Sequence, residues 1–307
     1  MAFTIFLSSG NLIADRRYDF GRDLQLRGDL AGAADLMAQA AELEPGFASA
    51  WFWLGDLREQ LGERDAAIAA YLCARDTDPE DRHGAKLRLM RLGAEPLSDM
   101  PPGYVRALFD QYAPKFDKTL VNDLEYRGPE ILLKAVLAAR HVARLPAHFK
   151  RTLDLGCGTG LAAREFASLA DEFVGVDLSP GMIERARATG LYARLEVTDM
   201  LQGLRAESDQ SANLILAADA VVYVPDLAPL LMEAARVLKP QGLVAFTAET
   251  HGDDGVILGP SLRYAHSAEY LHSVVADAKL KVCAIASVST RLEAGEPVPG
   301  LVVTASK

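Results

Sequence analysis

The run Asp154-Leu155-Gly156-Cys157-Gly158-Thr159-Gly160 constrains this chain more than any other. It follows the apolar, strand-like RTLDL and precedes the helix-like LAAREFASLA. Glycines at alternate positions between a strand and a helix allow a tight turn and close backbone approach to a ligand. The spacing is GxGxG, and Leu161 stands where a dinucleotide fingerprint carries its last glycine. Asp154, two residues before the first glycine, suits a ligand that bears an ammonium group.

Downstream, short apolar runs alternate with helical stretches. EFVGVD, LEVTD, NLILAA and LVAFTAE read as strands; GMIERARATG and LAPLLMEAARVL read as helices. Such alternation predicts right-handed βαβ units and a parallel sheet covered on both faces. The tail differs: KVCAIASVS and GLVVTAS, joined by a turn-rich loop, predict an antiparallel hairpin. Asp177 ends the second strand, where a carboxylate accepts both hydroxyls of a ribose. Ser179-Pro180 already supplies a helix cap and first-turn proline there, so Asp177 is less needed for structure. Asp199-Met200, after the third strand, is placed to bond an adenine amine and pack on its face. Cys157 lies within the loop, with its thiol read as incidental rather than nucleophilic.

The first ninety-odd residues repeat with a period of 34. Gly21 meets Gly55, Gly28 meets Gly62, Ala33 meets Ala67, Ala40 meets Ala74 and Pro45 meets Pro79; Phe20 meets Leu54 and Met37 meets Tyr71. Small residues let paired helices approach closely, and proline stops the second helix. This pattern resembles the tetratricopeptide repeat, a helix–turn–helix unit. Two repeats fall short of the ~3 that usually close a core. RHGAKLRLMRL (82–92) is therefore expected to form a capping helix. Trp51 is assigned to the repeat core and Trp53 to the surface. Gly93–Gly103, with three prolines, reads as a linker.

The formal net charge of −10 argues against a nucleic-acid partner, since no Lys/Arg run offsets it. Cys73, Cys157 and Cys283 are too few and scattered for a disulfide framework or zinc site. No metal site is expected, and a reducing cytoplasmic setting follows as the simple reading. The start MAFTIFLSSG lacks a basic region and a signal-length apolar core. No run approaches the ~18 apolar residues of a membrane span, so no membrane partner is expected.

Taken in order, DLGCGTG, VGVDLSPGMIERAR, VTDM, LILAADAVVYV and ARVLKPQGLVAF resemble the class I S-adenosylmethionine-dependent methyltransferases over about residues 102–307. With the repeats, the whole chain resembles bacterial methyltransferases that carry tetratricopeptide repeats. The resemblance implies an α/β, Rossmann-like fold: a seven-stranded sheet ending in an antiparallel hairpin, behind a small all-α repeat domain. The expected divisions are 1–95 for the repeats, 96–148 for a linker and lid helices, and 149–307 for the cofactor domain. By the same resemblance Gly156, Cys157, Gly158 and Gly160 hug the methionine and ribose of S-adenosylmethionine, and Asp154 belongs to the same set. Asp177 takes the ribose, Leu178 and Met182 line the adenine, and Asp199 with Met200 completes its site. Ala217 and Ala218 border the cofactor at the fourth strand. Many small-molecule methyltransferases have an aromatic lid similar to FDQYAPKFD (109–117), in which Tyr112 is the expected cofactor contact. Tyr126-Arg127 opens the next helix toward the cofactor's carboxylate.

Asp219, Tyr223 and His266 are the substrate-facing candidates for catalysis. His266 is weighed as general base or as helix cap, and Arg263 as partner of an acceptor carboxylate. The implied activity is methyl transfer to a small-molecule acceptor, with the repeats docking or holding a protein or peptide. The rivals are a protein methyltransferase whose repeats recruit substrate, and a cofactor-binding adaptor without catalysis. Aminopropyl transfer and a nicotinamide oxidoreductase are disfavoured by the sparse acids at strand four and by Leu161.

Overall fold

In the computed structural model the described residues are 5–114, 116–118 and 125–307, with the backbone alone at 118. The lid positions 115, 119 and 120 lie outside them. The chain forms two compact units, Met1–Leu108 and Phe109–Lys307.

The first unit consists of paired helices: α1 (Leu12–Leu26) with α2 (Leu30–Leu43), and α3 (Ala48–Gln60) with α4 (Arg64–Thr77), followed by α5 (Ala85–Arg91). The 34-residue register reappears in the packing. A Cβ placed on Gly21 would stand 3.0 Å from Met37, and one on Gly55 would stand 2.6 Å from Tyr71. Gly and its large partner thus repeat as a pair, the missing Cβ making room for the opposing side chain. Gly28 and Gly62 take φ +86° and +77°, the left-handed turn that ends α1 and α3. Asn11 caps α1 by accepting from the Ile13 and Ala14 N–H groups.

Two expectations need correcting. Trp53 is buried, with the Arg22 guanidinium 3.4 Å from its ring centroid; Trp51 is the more exposed, its Nε1 donating to the Pro45 carbonyl. Helical spacing alone did not separate two tryptophans two positions apart. Phe20 and Leu54, matched in sequence, part in burial: 62% against 8% exposed. The expected linker also ends early, because Pro102 already begins α6 (Pro102–Tyr112).

The second unit continues with α7 (Phe116–Lys118) and α8 (Gly128–Ala143). It then alternates as β1 (Thr152–Leu155), α9 (Leu161–Phe166), β2 (Phe173–Asp177), α10 (Pro180–Ala188), β3 (Tyr192–Val197), α11 (Met200–Arg205) and β4 (Ala212–Ala217). A 3₁₀ turn (Val221–Tyr223) leads to α12 (Ala228–Val237), β5 (Leu238–Glu249), β6 (Val256–Leu258), β7 (Tyr264–His266) and α13 (Ala268–Asp277). The chain ends with β8 (Lys281–Val288), β9 (Leu292–Glu293), β10 (Glu296–Pro297) and β11 (Gly300–Ser306).

The main path of the sheet runs β3-β2-β1-β4-β5-β11-β8. Its first five strands pair in parallel, whereas β11 is antiparallel to both neighbours. Two further strands leave this path: β7 pairs in parallel with the end of β5 at Glu249↔Ala265, and β6 pairs antiparallel with β7. The described sheet has nine strands where seven were expected, because the stretch HGDDGVILGPSLRYAH, read as a loop before a polar group, folds into that extra hairpin. Along β4, Leu214 and Leu216 join one buried cluster while Ile215 and Ala217 join the other, so both faces are covered. The strand order reverses between β1 and β4, the place where open α/β sheets take ligands. Among the described residues, no helix is long and apolar enough to cross a membrane.

Candidate functional site

The glycine loop leaves β1 at this switch point. Gly156, Gly158 and Gly160 all have positive φ, +64°, +54° and +90°. A Cβ on Gly156 would fall 2.6 Å from that of Ala220 and 3.9 Å from the Met200 sulfur. The loop is thus pressed against the exit of β4 on one side and the start of α11 on the other.

Asp177 ties the loop to β2. Its carboxylate accepts the Gly158 N–H at 2.9 Å and the Ser179 N–H at 2.8 Å. Burial pushes this carboxyl up to about 6 against those two donors, with Asp110 adding to the rise. Two accepted hydrogen bonds leave a carboxylate further lone pairs to offer.

The other expected residues divide. Asp154 is 1% exposed and accepts the Tyr192 hydroxyl at 2.6 Å; desolvation holds it at about 6. The expected direct partner of an ammonium group is therefore engaged internally. Cys157 is buried, which pushes its thiol well above the usual range, while its N–H donates to the Val176 carbonyl. Leu178 is half-buried and Met182 fully buried under the first turn of α10. Asp199 caps α11 by accepting the Gln202 N–H at 2.9 Å. Ala217 is buried at the end of β4 and Ala218 half-buried beyond it.

The aromatic segment is clipped on by its two aspartates. Asp110 accepts from the Ser179 hydroxyl and the Gly181 N–H, at the start of α10. Asp117 accepts from the Thr159 hydroxyl of the glycine loop and pairs with Arg164 at 3.6 Å. The Phe116 ring lies 3.9 Å from where a Gly158 Cβ would stand, and Phe109 meets Phe116 and Tyr223 edge-on at 6.0 and 5.3 Å. Tyr112 is half-buried between these clips.

Past β4 lies a polar cluster that the sequence reading only touched. Asp219, at φ +52°, accepts from Thr247 and Thr290 and pairs with Arg291 at 3.2 Å. Arg291, 3% exposed, also pairs with Glu249 and with Glu293. Tyr126 is desolvated beside Asp219 and Arg291, which drives its phenol well up; Arg127 instead pairs with Glu130.

Both readings of His266 are corrected. It is 0% exposed, its Nε2 lies 2.9 Å from the Val224 carbonyl, and burial lowers it to about 4, so it is no solvent-facing base. Ser267, not His266, caps α13. Arg263 is taken by Glu293 and by the Tyr223 hydroxyl, so it is not waiting for an acceptor carboxylate. The missed residues are Thr247 and Glu249 on β5, Thr290 and Arg291 in the loop after β8, and Glu293 on β9. Thr290 lies 71 positions from Asp219, beyond the reach of any local pattern.

Residues 152–242 match the family model of a methyltransferase domain. Methyltransferase-like protein 27 of Homo sapiens is 35% identical over 149 residues, 48% of this chain and 58% of that protein. A ubiquinone biosynthesis O-methyltransferase of Xanthomonas oryzae pv. oryzae is 34% identical over 103 residues, 33% of this chain and 43% of that protein. The chain thus spans about half the length of the curated relatives it matches. The fold is similar to that of the Burkholderia thailandensis 1,6-didemethyltoxoflavin-N1-methyltransferase, solved with 1,6-didemethyltoxoflavin and S-adenosylhomocysteine. That likeness has a TM-score of 0.52 at 17% identity, over 69% of this chain and 92% of the other. Within the second unit, residues 152–242 thus carry a methyltransferase domain.

Proposed function

We propose that the chain transfers a methyl group from S-adenosylmethionine to a small-molecule acceptor entering beside Asp219 and Tyr223. The observation that carries this reading is Asp177: a half-buried carboxylate bonded to the Gly158 N–H, at the switch point, beside three glycines in left-handed conformations. A glycine cradle that a single Cβ would fill, next to a carboxylate with spare lone pairs, fits the ribose and methionine portions of the cofactor.

The bound sulfonium supplies a methyl group that is already electrophilic. What remains for this chain is positioning, worth up to ~7–11 kcal/mol in favourable cases. Asp177 takes the ribose hydroxyls; Leu178, Met200 and Asp199 border the adenine, with Met182 supporting the wall from beneath. Phe116 and Tyr112 exclude water from above, with Asp110 and Asp117 holding them down. Asp154 acts through Tyr192, fixing the base of the loop.

On the acceptor side, the Tyr223 hydroxyl accepts from Arg263 at 3.3 Å, which leaves its own proton to donate outward. Asp219 is the anchor of that wall, held by Thr247, Thr290 and Arg291. With His266 buried, proton removal falls to the acceptor's own acidity or to water, which suits an acceptor that loses its proton readily. The helical hairpins, read as tetratricopeptide repeats, serve as a docking element, and the setting is cytoplasmic.

The test uses tritiated methyl-S-adenosylmethionine with a cell extract split by size into small molecules and macromolecules. Label is expected in the small-molecule fraction and absent with Gly156→Val. Label confined to protein would replace this reading with recruitment of a protein substrate.

A further inference from the structure

We propose that Asp15, Ser49 and His83 line a groove for an extended peptide, and that the chain's own residues 5–9 occupy it as a displaceable strap. The three groove residues stand 34 positions apart, at one register position of the internal repeat. Asp15 lies on α1, Ser49 on α3 and His83 just before α5. Each grips the segment. Asp15 accepts from the Ser9 N–H at 2.9 Å and from the Ser9 hydroxyl at 2.7 Å. Ser49 Oγ accepts the Leu7 N–H at 2.8 Å and donates to the Leu7 carbonyl at 3.3 Å. His83 is hydrogen-bonded to the Ile5 backbone, and its Nε2 lies 3.1 Å from Ser49 Oγ.

The register of these contacts points to a peptide site. Successive groove residues meet alternate residues of the segment, in the order Ser9, Leu7, Ile5. Those three are half-buried while Phe6, Ser8 and Gly10 are exposed, the period of two of an extended chain. Two extended residues span about 7 Å, a step that side chains from packed helices roughly 8–10 Å apart can match. Ser49 serves both the N–H and the C=O of Leu7, as a neighbouring strand does for an added peptide. Ser49 and His83, 0% and 4% exposed, are polar groups set beside the aromatic Tyr18, Phe47 and Phe52. Their hydrogen bonds go to each other and to the segment.

The same details make the strap displaceable and define its competitor. Phe6 is 46% exposed, its ring resting 5.1 Å from that of Tyr18 and 6.1 Å from that of Phe47. Gly10, at φ +78° with open space where a Cβ would stand, turns the chain into α1 and serves as the hinge. A competing peptide is extended, with aliphatic side chains where Ile5 and Leu7 stand and a hydroxyl where Ser9 meets the Asp15 carboxylate. Tethering gives the strap an effective concentration on the order of millimolar, so it screens the groove from weak ligands.

Fluorescence polarisation of a labelled peptide FTIFLSSG (residues 3–10) with the full chain tests this. A variant carrying Phe6→Asp and Leu7→Pro loses the ring contact and the N–H that Ser49 accepts. It is expected to bind the peptide about tenfold or more tighter than the wild type. Adding Ser49→Ala to that variant is expected to weaken binding about fivefold. Circular dichroism verifies that the helices remain folded. In the wild type, the Leu7 N–H is expected to exchange with solvent much faster than the amides at the centre of α3. Equal binding by wild type and folded opened variant would overturn the proposal, as would Leu7 exchange no faster than that of α3. Either result makes the segment a fixed part of the helical unit. A wild-type dimer that Leu7→Pro abolishes would also overturn it, showing the segment exchanged between copies.

Discussion

The Thr159 hydroxyl, in the middle of the glycine loop, donates to Asp117, 42 positions earlier at the end of the aromatic segment. The companion clip runs from Ser179 to Asp110. Together they fasten Phe116 over Gly158 and tie the segment to the glycine loop and to the start of α10. Removing one side-chain hydrogen bond costs about 1 kcal/mol. Asp117→Ala is therefore expected to weaken S-adenosylmethionine binding about fivefold, with less than 1 kcal/mol lost in a urea melt. Equal losses in affinity and stability would assign Asp117 to the fold rather than to the lid.

Cofactor affinity is expected to depend on pH through Asp177. Its carboxyl, held up to about 6 by burial, accepts ribose hydroxyls only when ionised. Binding is then full above pH 7 and weakens as the pH falls through 6. Titrations from pH 5 to 8 measure this; a flat profile would mean the carboxylate takes no part in binding.

Gly156→Ala places a methyl group 2.6 Å from the Ala220 Cβ at a φ of +64°. Strain and overpacking together predict a loss of about 2–4 kcal/mol in folding stability. Cofactor binding should vanish even in the folded fraction. A variant as stable as the wild type would show the loop to be more yielding than this packing implies.

Arg291 stands between Asp219, Glu249 and Glu293 at 3% exposure. Replacing it by Met leaves three partly buried carboxylates with Arg263 as the remaining cation, paired to Glu249 and Glu293 but not to Asp219, an imbalance that costs about 3 kcal/mol. Urea melts of the variant and the wild type at pH 7 check the size; a variant as stable as the wild type would show that Arg263 alone balances the cluster.

Stability is expected to depend on pH through His266. Burial lowers it from 6.5 to about 4, so its neutral form stabilises the fold above pH 6.5 and this contribution is lost as the pH falls toward 4. The shift corresponds to about 3 kcal/mol. Asp154 and Asp177, raised to about 6, run the other way: their penalty fades between pH 6 and 4. Only a difference between variants isolates the histidine. His266→Phe is expected to lose less stability than the wild type between pH 7 and 4.5.

The glycine loop and the strand ends around it were legible in the sequence because their residues are local. Glycines needing positive φ, an acid closing a strand and a cap before a helix all leave marks within a few positions of one another. The acceptor side was not. Asp219 and Tyr223 followed a strand end, but Thr247 reaches Asp219 from the neighbouring strand and Thr290 and Arg291 from the loop after β8, contacts that no short pattern records. His266 misled for a related reason: only the placement of β7 beside β5 reveals its burial. Trp53 was assigned outward because spacing gives a face, not the neighbour that covers it.

Calorimetric titration with S-adenosylmethionine, with NAD in parallel, tests the central claim most directly. Micromolar binding of S-adenosylmethionine, none of NAD, and loss of the former in Asp177→Ala are the predicted results. A wild-type protein that is folded by circular dichroism yet binds neither S-adenosylmethionine nor S-adenosylhomocysteine would contradict the account.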